Sequence, residues 1–481
     1  MSKSTGISGI HFNHHNRSKG CFMKCLHRWI FVACVIASFA CCSVGAISAA
    51  ESDRHVIVVS LDGLAAYLVD DPNVPLPTIR KLAQQGAIVD GGMTVSNPSV
   101  TWPNHTTLVT GVRPEKHGVL ANGVLVRGGI GIPTKVDPDR DQSDLVQMPT
   151  IVDAAHAAGL TTAEINWPCT RASKSLDDSF SDVPKSVEYM TPRLRSELVE
   201  LGLLPDETDA SFKKISGVGR DYIWTEAACH VIRERKPNLM LVHLLNVDST
   251  HHKYGPQTPE GYTANAYIDM CLSRIVSAID DAGIRETTTL IVVSDHGFTT
   301  APKAIRPNVL LRQAGLLTVE AGKLSTAQVH VVPEGGIGLV YCTNPDKAAE
   351  NAAKFKEMFM GQEGVVDVIL PDRFEEVGLQ HPRDYRQSPD AILVAADGYS
   401  VSGSVEGETL VTSNTEAKTS LGNHGFLSTL PKMKALCVLS GADIRPGTHL
   451  PTVENIDIAP TIAELLNLNY PHSDGKPLVE R

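Results

Sequence analysis

The chain reads as an α/β protein, with a mostly parallel central sheet, helices on both faces and a small α+β insertion at about 302–415. Three observations predict it. Apolar strand-like runs alternate with helix-like segments, the pattern that yields parallel sheets. The runs His55–Leu61, Asn238–Leu245 and Thr288–Val293 are nearly continuous in apolar residues, as strands covered on both faces must be. Each is followed closely by an acid, Asp62, Asp248 and Asp295, where functional groups of such sheets gather.

In chain order, His55–Leu61 ends at Asp62-Gly63. A helix over 76–85 stops at Gly86, as helices do at glycine. Thr101 ends an extended run, and Pro103 opens a helix through Val109, proline being suited to a first turn. Because a residue before proline avoids the α region, Trp102 should mark the corner. Residues 117–126 read as turn and strand and 127–147 as a polar surface loop. Thr150–Ala158 is helical, closed by Gly159, and Thr161–Asn166 is a strand. Asp221–Arg235 and Asn265–Ala282 are helices preceding the strands Asn238–Leu245 and Thr288–Val293. Within 302–415 the pattern changes, with strands over 335–341, 365–370 and 391–395 around a helix over 345–360. The core resumes with a strand over 434–439 and a final helix over 457–466.

The 481 residues contain 42% hydrophobic and 20% charged residues, with a net charge of −11. This acidity, without a basic cluster, argues against a protein that binds duplex nucleic acid by neutralising phosphates. An anionic substrate would need local cations, and metal ions would provide them. Residues 1–50 read as a cleaved signal peptide: Lys19, Lys24 and Arg28 precede an apolar run from Trp29 to Ile47, then Ser48, Ala49 and Ala50. The mature chain, 51–481, is expected to be exported with no stable membrane span. Its five cysteines, Cys169, Cys229, Cys271, Cys342 and Cys437, are scattered and odd in number, which is no disulfide framework. The sequon Asn104-His105-Thr106 lies inside the suspected site, where a glycan would obstruct it. That favours a bacterial periplasm over a eukaryotic secretory route.

Taken alone, Thr101 reads as a helix N-cap. A threonine hydroxyl is a poor nucleophile unless a base or metal activates it. Four segments could supply metal ligands: Asp62; Asp248 with His251 and His252; Asp295-His296; and His424 between Asn423 and Gly425. Carboxylate with imidazole suits zinc. Each segment alone has an ordinary structural reading; jointly, at strand ends and beside Thr101, they point to a two-metal site.

The motifs Asp62-Gly63, Thr101-Trp-Pro-Asn-His105 through Gly111, His117-Gly118 with Asn122, Asp248 to Pro256, Ser294 to Gly297 and Asn423-His424-Gly425 resemble those of the nucleotide pyrophosphatase/phosphodiesterase family of the alkaline phosphatase superfamily. The likeness spans about 55–300 and 420–470. It implies an alkaline-phosphatase-like fold and two zinc ions. Asp248, His252 and His424 would hold one; Asp62, Asp295, His296 and the Thr101 oxygen the other. Thr101 would be the nucleophile of a threonyl-phosphate (nucleotidyl) intermediate. Asn122, with the Thr101 N–H, would bind a non-bridging phosphoryl oxygen, and Trp102 would contact the nucleobase. His251 has no ligand role in that pattern and is expected to face solvent.

The sulfatase motif Cys-x-Pro-x-Arg is missing. Phosphomonoesterases hold a dianion with arginine, whereas the matching group here is the neutral Asn122. The resemblance therefore implies a phosphodiesterase or nucleotide pyrophosphatase acting on small-molecule nucleotide substrates. A phosphomonoesterase or phosphonate hydrolase on the same scaffold, and an inactive metal-containing binding protein, are the competing expectations.

Overall fold

β1 (His55–Leu61) is buried at every position, and its side chains alternate between two cores. Ile57, Val59 and Leu61 meet the helices Gly217–Arg235 and Pro259–Asp281 on one face. Val56 and Val58 meet Leu108, Ile151 and Ile462, from the helices Thr101–Thr110, Ile151–Ala157 and Ile458–Leu465, on the other. Period-two alternation with both faces apolar is why the strand reads as an unbroken hydrophobic run. The computed structural model describes residues 53–182, 184–204, 208–417, 419–451 and 453–479. The leader expected over 1–50 lies outside them.

The central sheet adds β2 (Ala87–Val89), β3 (Thr162–Ile165), β4 (Asp178–Phe180), β5 (Leu239–Leu244), β6 (Thr288–Val293), β7 (Cys437–Gly441) and β8 (Thr448–Leu450), in the order β8-β2-β7-β6-β1-β5-β3-β4. β7 alone runs antiparallel to its neighbours β6 and β2; the rest are parallel. β1 lies between β5 and β6, with Leu61 opposite Leu244 and Ser60 opposite Val293. The carboxyl ends of these three strands are therefore level, and Asp62, Asp248 and Asp295 emerge at one edge.

Several expectations need correction. Thr101 is the first helical residue, with Val100 in extended conformation before it and no side-chain cap bond, so Thr101 is not an N-cap. Trp102 is helical rather than a corner. Pro103 still sits in the first turn, where no carbonyl awaits its missing N–H, and this outweighs the pre-proline preference. Residues 127–147 contain a short strand, Lys135–Asp137, and a helical turn, Gln142–Leu145. The short strands β2 and β4 carry too few residues for a periodicity to register.

Residues 303–413 form their own layers. A four-stranded antiparallel sheet takes Val329–Glu334, Ile337–Cys342, Ala391–Ala395 and Val365–Ile369 in that order, and the helix Ala348–Phe359 covers it with Phe355 and Phe359. The sheet's other face, through Leu339 and Tyr341, packs on Leu120, Ala121 and Leu125.

Asp221 connects the core to the site. Its fully buried carboxylate accepts from the N–H groups of Leu245 and Asn246, both at 2.9 Å, at the start of the helix Asn246–Tyr254. Burial lifts its pKa to about 7 despite those bonds. A carboxyl raised above its unfolded value, about 3.9, contributes most below that value and loses the contribution as pH rises through 7. Asp221→Ala strands two helix-end donors and should cost about 1–3 kcal/mol at pH 5, with a smaller cost at pH 8. Urea unfolding of the chelated protein at both pH values measures this; a cost that grows with pH would refute it.

Candidate metal centre and nucleophile

Two clusters of acid and imidazole form at the level strand ends. Asp62, Asp295 and His296 make one, and Asp248, His252 and His424 the other; within each, the ligand atoms all lie within 4.8 Å of one another. The imidazoles of His296 and His424 stack face to face across the clusters, with centroids 3.7 Å apart. The six carboxylate and imidazole ligands expected from the sequence thus fall into these two clusters.

Hydrogen bonding shows what the clusters lack. His296 Nδ1 lies 3.0 Å from the Gly297 carbonyl, His252 Nδ1 3.2 Å from that of Gly422, and His424 Nδ1 2.9 Å from that of Ser99. A carbonyl only accepts, so each Nδ1 carries the proton and each Nε2 offers a lone pair inward. His296 Nε2 faces Asp62 Oδ1 at 3.4 Å and Asp295 Oδ2 at 3.2 Å. His252 and His424 face Asp248 Oδ1 at 3.4 and 3.6 Å. Asp62 Oδ1, Asp295 Oδ2, His296 Nε2 and Asp248 Oδ1 are buried without a hydrogen-bond partner. Converging acceptors with no donor are costly to bury, and a cation in each cluster removes the cost. Imidazole held by carbonyl through its other nitrogen is the usual arrangement of a metal-binding histidine. The residues fit two metal ions.

Charge follows the same logic. Burial, then the carboxylates of Asp295 and Asp248, push the Asp62 pKa well above the usual range. Burial also raises that of Asp295, but His296, His105 and His243 outweigh it and bring it below its ordinary value. Burial, then His296 and His252, hold His424 well below the ordinary histidine value, so its lone pair is free. The clusters differ in access: Asp62, Asp295 and His296 are sealed, whereas the His252 side chain is 34% exposed.

Local chain geometry brings these groups in. Gly63 has φ +70°, suited to glycine, and its N–H donates to Asp295 Oδ1 at 3.1 Å. A Cβ on Gly297 would lie 2.0 Å from the Lys432 carbonyl oxygen, so only glycine follows Asp295-His296. Phe298, fully buried, backs His252 and His424 at 4.9 and 5.4 Å. His251, expected at the surface, is buried edge-on to Phe298 at 5.4 Å and makes no ligand cluster. On the helix Asn246–Tyr254, residues 248 and 252 share one face, and residue 251, one step before 252, turns inward.

Thr101, Trp102 and Asn122 line a cavity of about 460 Å³ with Asp62, Asp248 and His243. As first residue of its helix, Thr101 has an N–H without an intrahelical carbonyl. The Trp102 N–H donates to Asn122 Oδ1 at 2.9 Å. Since an N–H bonds only an acceptor, the Asn122 amide nitrogen is the end left over, a donor beside Thr101. Trp102 is 6% exposed, packed on Val119, Leu145 and Cys169, and its Nε1–H donates to Asp182 at 3.0 Å. It is a wall of the cavity rather than a free aromatic face. Asn104 is wholly buried, its side chain bonded to Ser96, Pro98, Val100 and Asn455; a glycan there is incompatible with this fold.

The sequence reading missed His243, Asp182 and Lys213, all on the cavity wall. His243 is the one polar residue of β5, a signal that was legible. Its Nε2 lies 3.0 Å from Asp62 Oδ2, and its Nδ1 lies 3.0 Å from the Asn166 carbonyl oxygen and 3.2 Å from the Asn166 amide nitrogen. With an ionised Asp62, Nε2–H is the donor, leaving Oδ1 for a metal. His243 therefore positions Asp62. Replacing such a partner costs about 10–100-fold in metal affinity. His243→Ala should show that loss in competition with a chelator, read by elemental analysis; unchanged retention would remove the role.

A sequence model of the family described as type I phosphodiesterase / nucleotide pyrophosphatase matches residues 56–427. Ectonucleotide pyrophosphatase/phosphodiesterase family member 1 of Homo sapiens is 23% identical over 428 residues, covering 87% of this chain and 40% of the relative, so the chain spans less than half of that protein. A bis(5'-adenosyl)-triphosphatase of Homo sapiens is 22% identical, with 89% and 81% covered. Among solved structures, murine ectonucleotide pyrophosphatase / phosphodiesterase 5, as an inactive threonine-to-alanine variant in complex with AMP, superposes with TM-score 0.63 at 20% identity, covering 88% of this chain and 97% of that one. At that identity the likeness shows the fold.

Proposed function

Because the chain belongs to the type I phosphodiesterase/nucleotide pyrophosphatase family, we propose that it hydrolyses phosphodiester or pyrophosphate bonds of nucleotides through a threonyl-phosphate intermediate at a two-zinc site. The observation that carries the reading is the pair of acceptor-only clusters beside Thr101. Asp248, His252 and His424 would hold one ion and Asp62, Asp295 and His296, with the Thr101 oxygen, the other, in donor sets that suit zinc. Such ions supply the charge that makes a hydroxyl nucleophilic at neutral pH and stabilises a departing oxygen.

Thr101 Oγ attacks phosphorus in line, its O–P bond forming as the ester or anhydride oxygen leaves and its proton passes to solvent. Water then attacks the same phosphorus, and Thr101 is regenerated with its proton. The Asn122 amide, aimed by its bond from the Trp102 N–H, donates to a non-bridging oxygen throughout. A neutral donor suits the single charge of a diester. Lys213, on the same wall, offers a charge to the further phosphates of a pyrophosphate. An edge of Trp102, held by Asp182, meets the nucleoside. The names of the bis(5'-adenosyl)-triphosphatase relative and of the AMP-bound neighbour support a nucleotide substrate.

The basic and apolar leader supports export, to a bacterial periplasm or the outside. Among the described residues no helix is long and apolar enough to cross a membrane.

Thr101→Ala should retain the fold and most of the metal but lose turnover of a bis-aryl phosphodiester by several orders of magnitude, whereas Thr101→Ser keeps appreciable activity. The same assay with an aryl monoester separates the diester from the monoester reading. A near-normal rate in Thr101→Ala would exclude the covalent route.

Asn122→Ala removes one phosphoryl donor and should slow diester cleavage about a hundredfold, with metal content unchanged because Asn122 is not a ligand. Undiminished cleavage would show that another group holds the phosphate.

A further inference from the structure

A second cavity, of about 710 Å³, opens on the inserted region and shares no lining residue with the catalytic one. One wall is aliphatic, built from Ala348, Ala349 and Ala352 on one face of the helix Ala348–Phe359, with Leu370 and Ile132. Ile132 is 53% exposed, and Ile130 beside it 72%, so the lip presents apolar surface to water. No phenylalanine, tyrosine or tryptophan lines it.

The polar groups of the cavity sort into spent and free. Arg127 is spent: it pairs with Asp390 at 3.0 Å, donates to the carbonyls of Arg386 and Ser388, and lies over the Tyr341 ring. Asp390 is spent in turn on Arg127 and the Cys342 N–H. Among the described residues Arg383 uses only its Nε and its backbone N–H, both donated to His381 Nδ1 at 3.1 Å. Those two donors fix the His381 proton on Nε2, which is then itself a donor. The Arg386 guanidinium makes no bond or ion pair among the described residues. The other carboxylate of the lining, that of Asp372, is exposed to solvent. In a chain of net charge −11, a mouth with two available guanidinium groups and an imidazole donor stands out, and forked guanidinium donors match carboxylate and phosphate oxygens.

We propose that this cavity binds an amphipathic organic anion, an aliphatic chain bearing a carboxylate or phosphate monoester, with the head on Arg383, Arg386 and His381 and the chain on the alanine face. The volume is that of a small-molecule site. The lack of aromatic side chains disfavours a nucleobase, which binds by stacking, and the paired state of Asp390 disfavours a metal. The site stands independently of the catalytic reading.

Calorimetric titration of the metal-loaded protein with decanoate and with decyl phosphate tests it, with decanol and AMP as contrasts. Saturable binding of at least one anion is expected, and which one binds identifies the head group. Affinity should fall about tenfold or more in the double variant Arg383→Ala/Arg386→Ala, as loss of charge-assisted bonds implies. Ala349→Trp, a change at an exposed wall position that fills the cavity, should abolish binding; thermal unfolding confirms that both variants are folded. The proposal is overturned if neither anion binds, if decanol binds as tightly, if affinity ignores both variants, or if AMP displaces the anion.

Discussion

The structure turns on a shortage of donors. Four imidazole and carboxylate atoms are buried among other acceptors at the edge of the central sheet, without a hydrogen-bond partner. Three histidines cannot relieve them, because the carbonyls of Gly297, Gly422 and Ser99 claim their Nδ1 protons. A cation held inside such a cluster would remove that cost. Much of the surrounding architecture holds that arrangement in place: His243 fixes one oxygen of Asp62, the Gly63 N–H one oxygen of Asp295, and Phe298 the backs of two rings.

Parallel register is what allows carboxylates from residues 62, 248 and 295 to meet. β1, β5 and β6 are hydrogen-bonded neighbours whose ends are level, so a short excursion beyond each delivers an acid to the same spot. The fourth contribution comes from far along the chain and needs stitching. The Ser99 carbonyl accepts both His424 Nδ1 and the Gly425 N–H, and the His424 carbonyl accepts the Gly336 N–H from the inserted sheet. The segment that carries Thr101, the loop that carries His424 and a hairpin of the inserted region are thereby joined. A Cβ on Gly335 would meet the His424 carbonyl oxygen at 2.1 Å, which shows how closely that hairpin approaches. The region between 303 and 413 therefore holds the loop that carries His424, although it contributes no residue to either cluster.

The catalytic cavity is acidic at its base and offers one lysine and one neutral amide on its wall. On the proposed reading, cations would make it receptive to phosphate, and metal binding and substrate binding would be linked. The second cavity, on the inserted region, has the opposite economy of charge, with arginines available and its one buried carboxylate already paired. Two sites in one chain thus approach anions by different physical means.

The sequence by itself determined the sheet and the residues of the two acid and imidazole clusters. Short unbroken apolar runs rich in β-branched residues read as strands covered on both faces, and His55–Leu61, Thr288–Val293 and Ala391–Ala395 occur with those bounds. Acids directly after such runs, and histidines in short polar segments, were legible because residue type and position carry the chemistry. The tertiary structure decided the rest. Whether Thr101 caps a helix or begins it depends on the segment before it, and Val100 is extended with Thr101 already helical. His251 differs from His252 only by one helical step, and that step places it on the buried side of the helix, edge-on to Phe298. His243 becomes a partner of Asp62 only when β5 pairs with β1, and the free end of Asn122 is set by the Trp102 N–H, 20 residues away. Such roles depend on partners distant along the chain, and local pattern holds no record of distance in space.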